Sequence, residues 1–336
     1  LGDVYKRQHI DNIILVELIK IEIIWIEYTW IKIDYKIVYA NTIERRMLMA
    51  NRKKVLLGAS ATIAVWATAF PFSKIALQSV DSLTLSVARV MGGALLMLVI
   101  GVVKGLHIPT TWREWGLYIL LGATGNFVYQ VVFNEGLRTI PAATSSIIMA
   151  LTPMTTALMA MIVYKDKIRP IGWLFTITAF IGVAIIILWN STLTIPTGAL
   201  WTLLGMTLFA VYNILNRGLS LKGYKPITIA MWSMFTGAIM ALPFAEHAIE
   251  MIAVAPISAK FAMAYLAFLS SALGFVFWSY ALEHAEKVSD VTNFMYISPI
   301  VAAIVAAFLL GEIPNMGLYI GAPVILGSLY LFNRYR

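Results

Sequence analysis

Gly122, Asn126, Gln130 and Asn134 recur at every fourth position of an otherwise apolar segment, which sets their side chains along one face of an α-helix. Carboxamides make and break no bonds; each presents two N–H donors and a carbonyl acceptor, the equipment of recognition. In hydrocarbon such a stripe must turn inward, either to contact a small molecule or to hydrogen-bond a neighbouring helix. Arg89 adds a cation to a second apolar segment, at a cost on the order of 3 kcal/mol near a bilayer centre unless it is hydrated or paired. No acidic residue lies deep enough in any apolar segment to pair with it, so Arg89 is expected to be solvated or bonded to backbone carbonyls. Its first expected role is structural, and its second is to attract a carboxylate or another anion. Asn213, Asn216 and Asn293 are further polar groups in apolar surroundings, and Trp66, Tyr212, Trp278, Tyr280 and Tyr296 could face a ring or a cationic amine or simply pack. As a set they describe an amphipathic cavity.

The elements that must position these residues are ten apolar stretches, at 55–78, 83–103, 115–137, 142–164, 171–189, 198–216, 227–244, 261–282, 288–310 and 316–332. Each is close to the roughly 20 helical residues that cross a bilayer core. The chain is 60% hydrophobic and 12% charged, with a mean hydropathy of +0.82, against about 25% charged residues in an ordinary soluble domain. The expected fold is therefore an all-α integral membrane protein. A net charge of +8 would suggest nucleic acid in a soluble protein, but here the basic residues punctuate apolar segments and read as topology signals. No nucleic-acid partner is expected. The partners are a small molecule and the lipid bilayer. With no cysteine, thiolate metal sites and disulfides are absent, and no cofactor is expected.

The second five stretches repeat the layout of the first five. Thr152-Pro153 matches Ser298-Pro299, and Asp166 at the following turn matches Glu312; Lys74 answers Arg217, and Gly93-Ala94 answers Gly237-Ala238. An odd number of crossings per half inverts one half relative to the other, an arrangement characteristic of secondary transporters. Between the crossings, one face collects Lys104, Arg113, Lys165, Lys167, Arg169, Arg217, Lys222, Lys225 and Lys287 along with both basic termini, whereas the other has only Lys74, Arg138 and Lys260. The positive-inside rule then puts both termini in the cytoplasm of a cell that carries this chain in its inner membrane.

Three segments follow from this organisation: 1–46, 47–190 and 191–336. The first begins without Met, and Glu17, Lys20, Glu22, Glu27, Lys32 and Asp34 interrupt every window long enough to span. It is expected to be upstream sequence ahead of a start at Met47 or Met49, or else a surface-lying amphipathic extension. Pro153 and Pro299 interrupt helical hydrogen bonding at symmetric places and are candidate gates. Small-residue pairs such as Gly122 with Gly125 and Gly317 with Gly321 indicate close helix approach. Glu135, Glu283, Glu286, Asp290 and Glu312 all fall near helix ends, leaving Glu135 as the candidate for proton linkage. A catalytic role lacks its parts: there is no His-Glu-x-x-His or paired intramembrane aspartate, and His247 and Glu250 are expected in a loop.

Tyr280-Ala-Leu-Glu-His-Ala-Glu-Lys-Val-Ser289, Ile297-Ser-Pro-Ile300 and Phe308-Leu-Leu-Gly-Glu-Ile313 resemble the second-half pattern of EamA-type repeats in the drug/metabolite transporter superfamily. Glu135-Gly-Leu-Arg138, Leu151-Thr-Pro153, Trp66-Ala-Thr-Ala-Phe-Pro71 and Arg89 resemble the first half, with Lys165-Asp166 departing from the usual Gly-Glu. The resemblance covers about residues 53–333. It implies a ten-helix bundle of two inverted five-helix repeats around a central cavity, moving small polar or amphipathic metabolites by alternating access. Export of an amino acid or related compound is the leading expectation. An inward permease, or a sugar-phosphate or nucleotide-sugar exchanger, is the alternative. Dianionic cargo would favour several cavity cations, and only Arg89 is clearly intramembrane, with Lys74 and Arg217 near opposite mouths.

Overall fold

The computed structural model describes Lys20 and residues 51–105, 108–189, 196–285, 291 and 293–335. Apart from Lys20, the segment 1–46 lies outside the described residues, as do Glu286 and Asp290. The chain divides after Lys53 into two compact units, and everything below belongs to the second unit or to the start of the helix that enters it.

Among the described residues, eight helices are long and apolar enough to cross a membrane: Asn51–Leu77, Ser82–Val103, Trp112–Thr139, Ala142–Val163, Pro170–Leu188, Thr197–Leu221, Pro226–Val254 and Ile257–His284. Two shorter apolar helices, Phe294–Leu310 and Met316–Phe332, follow. These are the first to tenth crossings. Their ends are set by local chemistry. Asp81 caps the second crossing by accepting from the Thr84 N–H at 2.6 Å, and Gly105 closes it in a left-handed conformation. Thr111 and Glu114 form a capping box at the start of the third crossing, and Pro170 and Pro226 occupy first-turn positions of the fifth and seventh.

The seventh crossing corrects a sequence expectation. Helix Pro226–Ala241 passes through a 3-10 turn, Leu242–Phe244, into helix Ala245–Val254. His247 and Glu250, expected in a loop, therefore stand on a helix. Pro243 explains why the sequence suggested an end there, since proline breaks the hydrogen-bond ladder; the chain tightens for one turn and then continues. His247 meets Asp81 at 2.7 Å and ties this extension to the second crossing. Burial pushes the Asp81 carboxyl up, but the Thr84 N–H and His247 together outweigh it and hold the group below the usual carboxylate range.

Packing repeats the internal symmetry. The second crossing packs on the seventh, the fifth on the tenth and the fourth on the ninth, so each meets its own counterpart. The third packs on the sixth, and the first meets the eighth through Trp66 and Gly274, which is the same contact with the halves exchanged. Close approach is specific at two glycines of the third crossing. A Cβ on Gly125 would stand 2.0 Å from the Tyr212 ring, and one on Gly122 would stand 2.4 Å from the Thr236 hydroxyl. Large apolar side chains cover the outside; Phe308 is 86% exposed and Val102 83%, surface that suits lipid and would be costly in water.

Candidate functional site

A cavity of about 750 Å³, counting its open mouth, lies inside the bundle. Trp66, Ala69 and Phe70 of the first crossing line it, with Arg89 of the second, Gly125, Asn126, Tyr129, Gln130 and Phe133 of the third, and Met149 of the fourth. The second half contributes Phe209 of the sixth, Ser270, Ser271 and Phe275 of the eighth, and Met295 and Ser298 of the ninth. One cation, two carboxamides and three serine hydroxyls thus face six aromatic side chains, and none of these lining residues is acidic.

Backbone irregularity brings the polar groups to the wall. The third crossing is two helices, Trp112–Gly125 and Phe127–Thr139, joined at Asn126, whose φ of −126° and ψ of −81° leave the helical region. The eighth crossing passes through a π-helical segment, Tyr265–Leu273. Such segments widen the turn and often occur at functional sites; here the adjacent Ser270 and Ser271 both line the cavity, and the Ser270 carbonyl accepts from Trp66 Nε1 at 3.1 Å. The fourth and ninth crossings break at their symmetric prolines. Pro153 cannot donate to the Met149 carbonyl four residues back, and Thr152 Oγ1 donates to it instead at 2.6 Å. Pro299 begins helix Ser298–Leu310 after a 3-10 turn, Asn293–Ile297. The residue four before each proline, Met149 or Met295, lines the cavity.

Arg89 is 8% exposed. Where solvent or backbone carbonyls were expected, its Nη1 and Nη2 donate to the hydroxyls of Ser73 at 3.3 Å and Ser270 at 3.4 Å. The hydroxyls are within reach because Ser73 sits one helical turn from Phe70 on the first crossing and the π-helical turn projects Ser270 toward the second. Nε of Arg89 has no partner, and neither do Asn126 Nδ2, Gln130 Oε1 and Ser271 Oγ. All four atoms are buried and belong to residues of the cavity wall.

The stripe on the third crossing divides. Asn126 and Gln130 line the cavity, Gly122 packs on the seventh crossing, and Asn134 donates through Nδ2 to Ser86 Oγ of the second crossing at 3.0 Å. Trp66 and Arg89 line the cavity with them, whereas five other sequence candidates stand elsewhere. Tyr212 packs beneath Gly125, with its hydroxyl bonded to Asn216 Nδ2 at 3.3 Å. Asn213 donates to Thr156 Oγ1 at 3.4 Å. Trp278 lies against Trp66, ring centres 5.4 Å apart. Tyr296 reaches the Leu329 carbonyl at 3.5 Å. Glu135, the candidate for proton linkage, accepts from Ser82 Oγ at 2.7 Å and pairs with Arg138 at 3.3 Å near a helix end. The side chain of Asn293 lies outside the described residues.

Sequence reasoning passed over Phe70, Tyr129, Phe133, Phe209, Phe275, Ser270 and Ser271. An aromatic residue in a transmembrane helix carries no mark that separates lining from packing, and two serines among alanines and leucines read as small packing residues. The Ser-Ser pair was the one available signal.

The EamA-like transporter family matches residues 53–188 and 196–334. The chain belongs to this family. A probable terminal-alkyne amino-acid exporter of Streptantibioticus cattleyicolor is 29% identical over 81% of this chain and 91% of its own length. The uncharacterized transporter YdfC of Bacillus subtilis is 26% identical over 82% and 91%, and the S-adenosylmethionine uptake transporter of Rickettsia prowazekii 25% identical over 63% and 67%. A solved crystal structure shares the fold, with a TM-score of 0.58 and 17% identity over 84% of this chain and 98% of that one. This EamA-family chain is a multi-pass membrane transporter of small molecules with two EamA-like segments, as the sequence pattern led one to expect.

Proposed function

We propose that this transporter exports amino acids or related compounds by alternating access from the central cavity, in the inner membrane and with both termini cytoplasmic. The observation that carries the reading is the set of four unpartnered polar atoms on residues that line the cavity, Arg89 Nε, Asn126 Nδ2, Gln130 Oε1 and Ser271 Oγ. An unsatisfied buried polar atom costs about 1–3 kcal/mol, and a ligand bearing a carboxylate and an N–H would relieve all four. The carboxylate goes to Arg89, which no protein carboxylate on the cavity wall competes for. The ammonium or its derivative goes to Gln130 and to the faces of Trp66, Tyr129 and Phe275, which attract cations. One cation in the cavity supports a monoanionic group and argues against sugar phosphates and nucleotide sugars.

Outward movement is supported by the exporter named among the relatives; the uptake transporter among them supports an inward permease as the second reading. Glu135 is engaged with Ser82 and Arg138, which favours facilitated movement or exchange over a deep proton relay. The test is efflux of a mixed amino-acid and nucleobase pool from proteoliposomes holding the full chain, with and without a proton gradient. Selective amino-acid efflux that ignores the gradient is expected; selective loss of nucleobases, or no loss of either, would reject the cargo assignment.

A further inference from the structure

Two acid-base sets sit at opposite ends of the bundle, and each acid reaches from one half of the chain to the other. At the end where the fourth crossing finishes, Asp166 of the first half receives Arg217 of the second in a two-pronged ion pair, at 2.6 and 3.4 Å. Tyr164 joins them: its ring lies under the Arg217 guanidinium, 4.6 Å from it, and its hydroxyl donates to the Ile214 carbonyl at 2.9 Å. At the end where the fourth crossing starts, Glu312 of the second half accepts from the Ala142 N–H at 2.8 Å. Lys74 grips the same turn through the carbonyls of Leu137 at 2.8 Å and Ile140 at 2.7 Å, within electrostatic reach of Glu312.

The two acids are symmetric in backbone as well as in sequence. Asp166 follows Lys165, with φ of +58°, and Glu312 follows Gly311, with φ of +65°. Lys165 is the one non-glycine residue with positive φ among those described, so a strained lysine holds the shape that glycine holds at the other end. The symmetry extends to geometry but not to state: one end has acid and base joined directly, the other has them parted on a shared turn.

We propose that Asp166–Arg217 and Glu312–Lys74 are reciprocal latches between the two halves, and that an end of the cavity opens only when the latch at that end releases. The proposal rests on the alternating-access reading above. Inverted repeats exchange roles as one half rocks against the other, so a contact on one face has to be undone when its image on the other face forms. The Asp166–Arg217 pair is nearly half exposed, with side-chain exposures of 44% and 43%, and exposed pairs are worth at most about 1 kcal/mol. A link that weak suits a contact remade in every cycle.

The chain has no cysteine, so a single Met149→Cys on the full chain reports cavity access to a membrane-impermeant maleimide from either side of sealed vesicles. Asp166→Asn is expected to raise labelling several-fold from the Arg217 end and lower it from the Lys74 end; Glu312→Gln is expected to do the reverse. The charge-swapped Asp166→Arg with Arg217→Asp should restore the original ratio. Unchanged ratios in both variants, or a shift toward the same side in both, would overturn the latch. Should a neutral variant fold poorly, Asp166→Cys with Arg217→Cys bridged by a reducible bifunctional reagent is expected to stop transport until reductant is added, and transport that continues through the bridge overturns the proposal. Labelling needs no cargo, so failure of the cargo assignment shows as missing counterflow with the labelling pattern intact.

Discussion

The third and eighth crossings are counterparts of 28 residues each, and both leave the α-helix halfway along, by different routes. The third breaks at one residue, Asn126, and lines the cavity with two long carboxamides. The eighth keeps its continuity through a π-helical turn and lines the cavity with two short hydroxyls, Ser270 and Ser271. A kink redirects a helix and lets a long side chain span the gap; a widened turn advances the backbone so that a small side chain suffices. The same end is reached from opposite walls, and Arg89 lies between them, bonded to Ser270 on one side.

Removing the cation common to both walls should have the largest effect. Arg89→Met is expected to lower transport of a carboxylate cargo by about 100-fold, as for the loss of one partner of a buried charge pair, with normal amounts of protein in the membrane; initial rates of counterflow measure it. A smaller change with uncharged cargo would sharpen the assignment of Arg89 to the anionic group.

The two walls should then separate. Asn126→Ala and Gln130→Ala are each expected to raise the half-saturating cargo concentration about 10-fold, the loss of one hydrogen bond to a charged or polar group. Ser271→Ala, whose hydroxyl is a weaker and shorter reach, should change it about 3-fold. Equal losses on both walls, measured by concentration dependence of efflux, would break the contrast between them.

Asn134 continues the stripe of the third crossing but bonds to Ser86. Asn134→Ala should therefore leave the half-saturating concentration unchanged and cost about 0.6 kcal/mol in stability, read as a lower thermal midpoint in detergent. The smallest effect falls on the turns: Lys165→Gly is expected to relieve the positive φ and raise stability by about 0.5–1 kcal/mol, whereas Gly311→Ala should lower it by a similar amount.

Ten crossings and their inverted pairing could be read from residue types alone, because a bilayer needs a long apolar run wherever the chain spans and symmetric prolines and acids survive as letters; the family came from the resemblance of particular motifs. Asn126, Gln130, Arg89 and Trp66 were legible as cavity candidates because polarity, or a large amphipathic ring, is conspicuous in hydrocarbon. Their neighbours in the cavity were not: Phe70, Phe133 and Phe209 have the same composition as lipid-facing phenylalanines, and only the packing of neighbouring crossings tells them apart.

What the sequence by itself determined is where this chain is apolar, where it is punctuated and that its halves mirror one another, since these follow from transfer energies summed along a segment. What only the tertiary structure decided is which polar groups share a cavity. Asn134 stands one turn beyond Gln130 on the same face, and the side-chain oxygens of both lack a partner, yet Ser86 takes the Asn134 N–H while Gln130 lines the cavity. That difference depends on which residue of a neighbouring crossing lies at the same height, a relation between segments that no spacing within one segment contains.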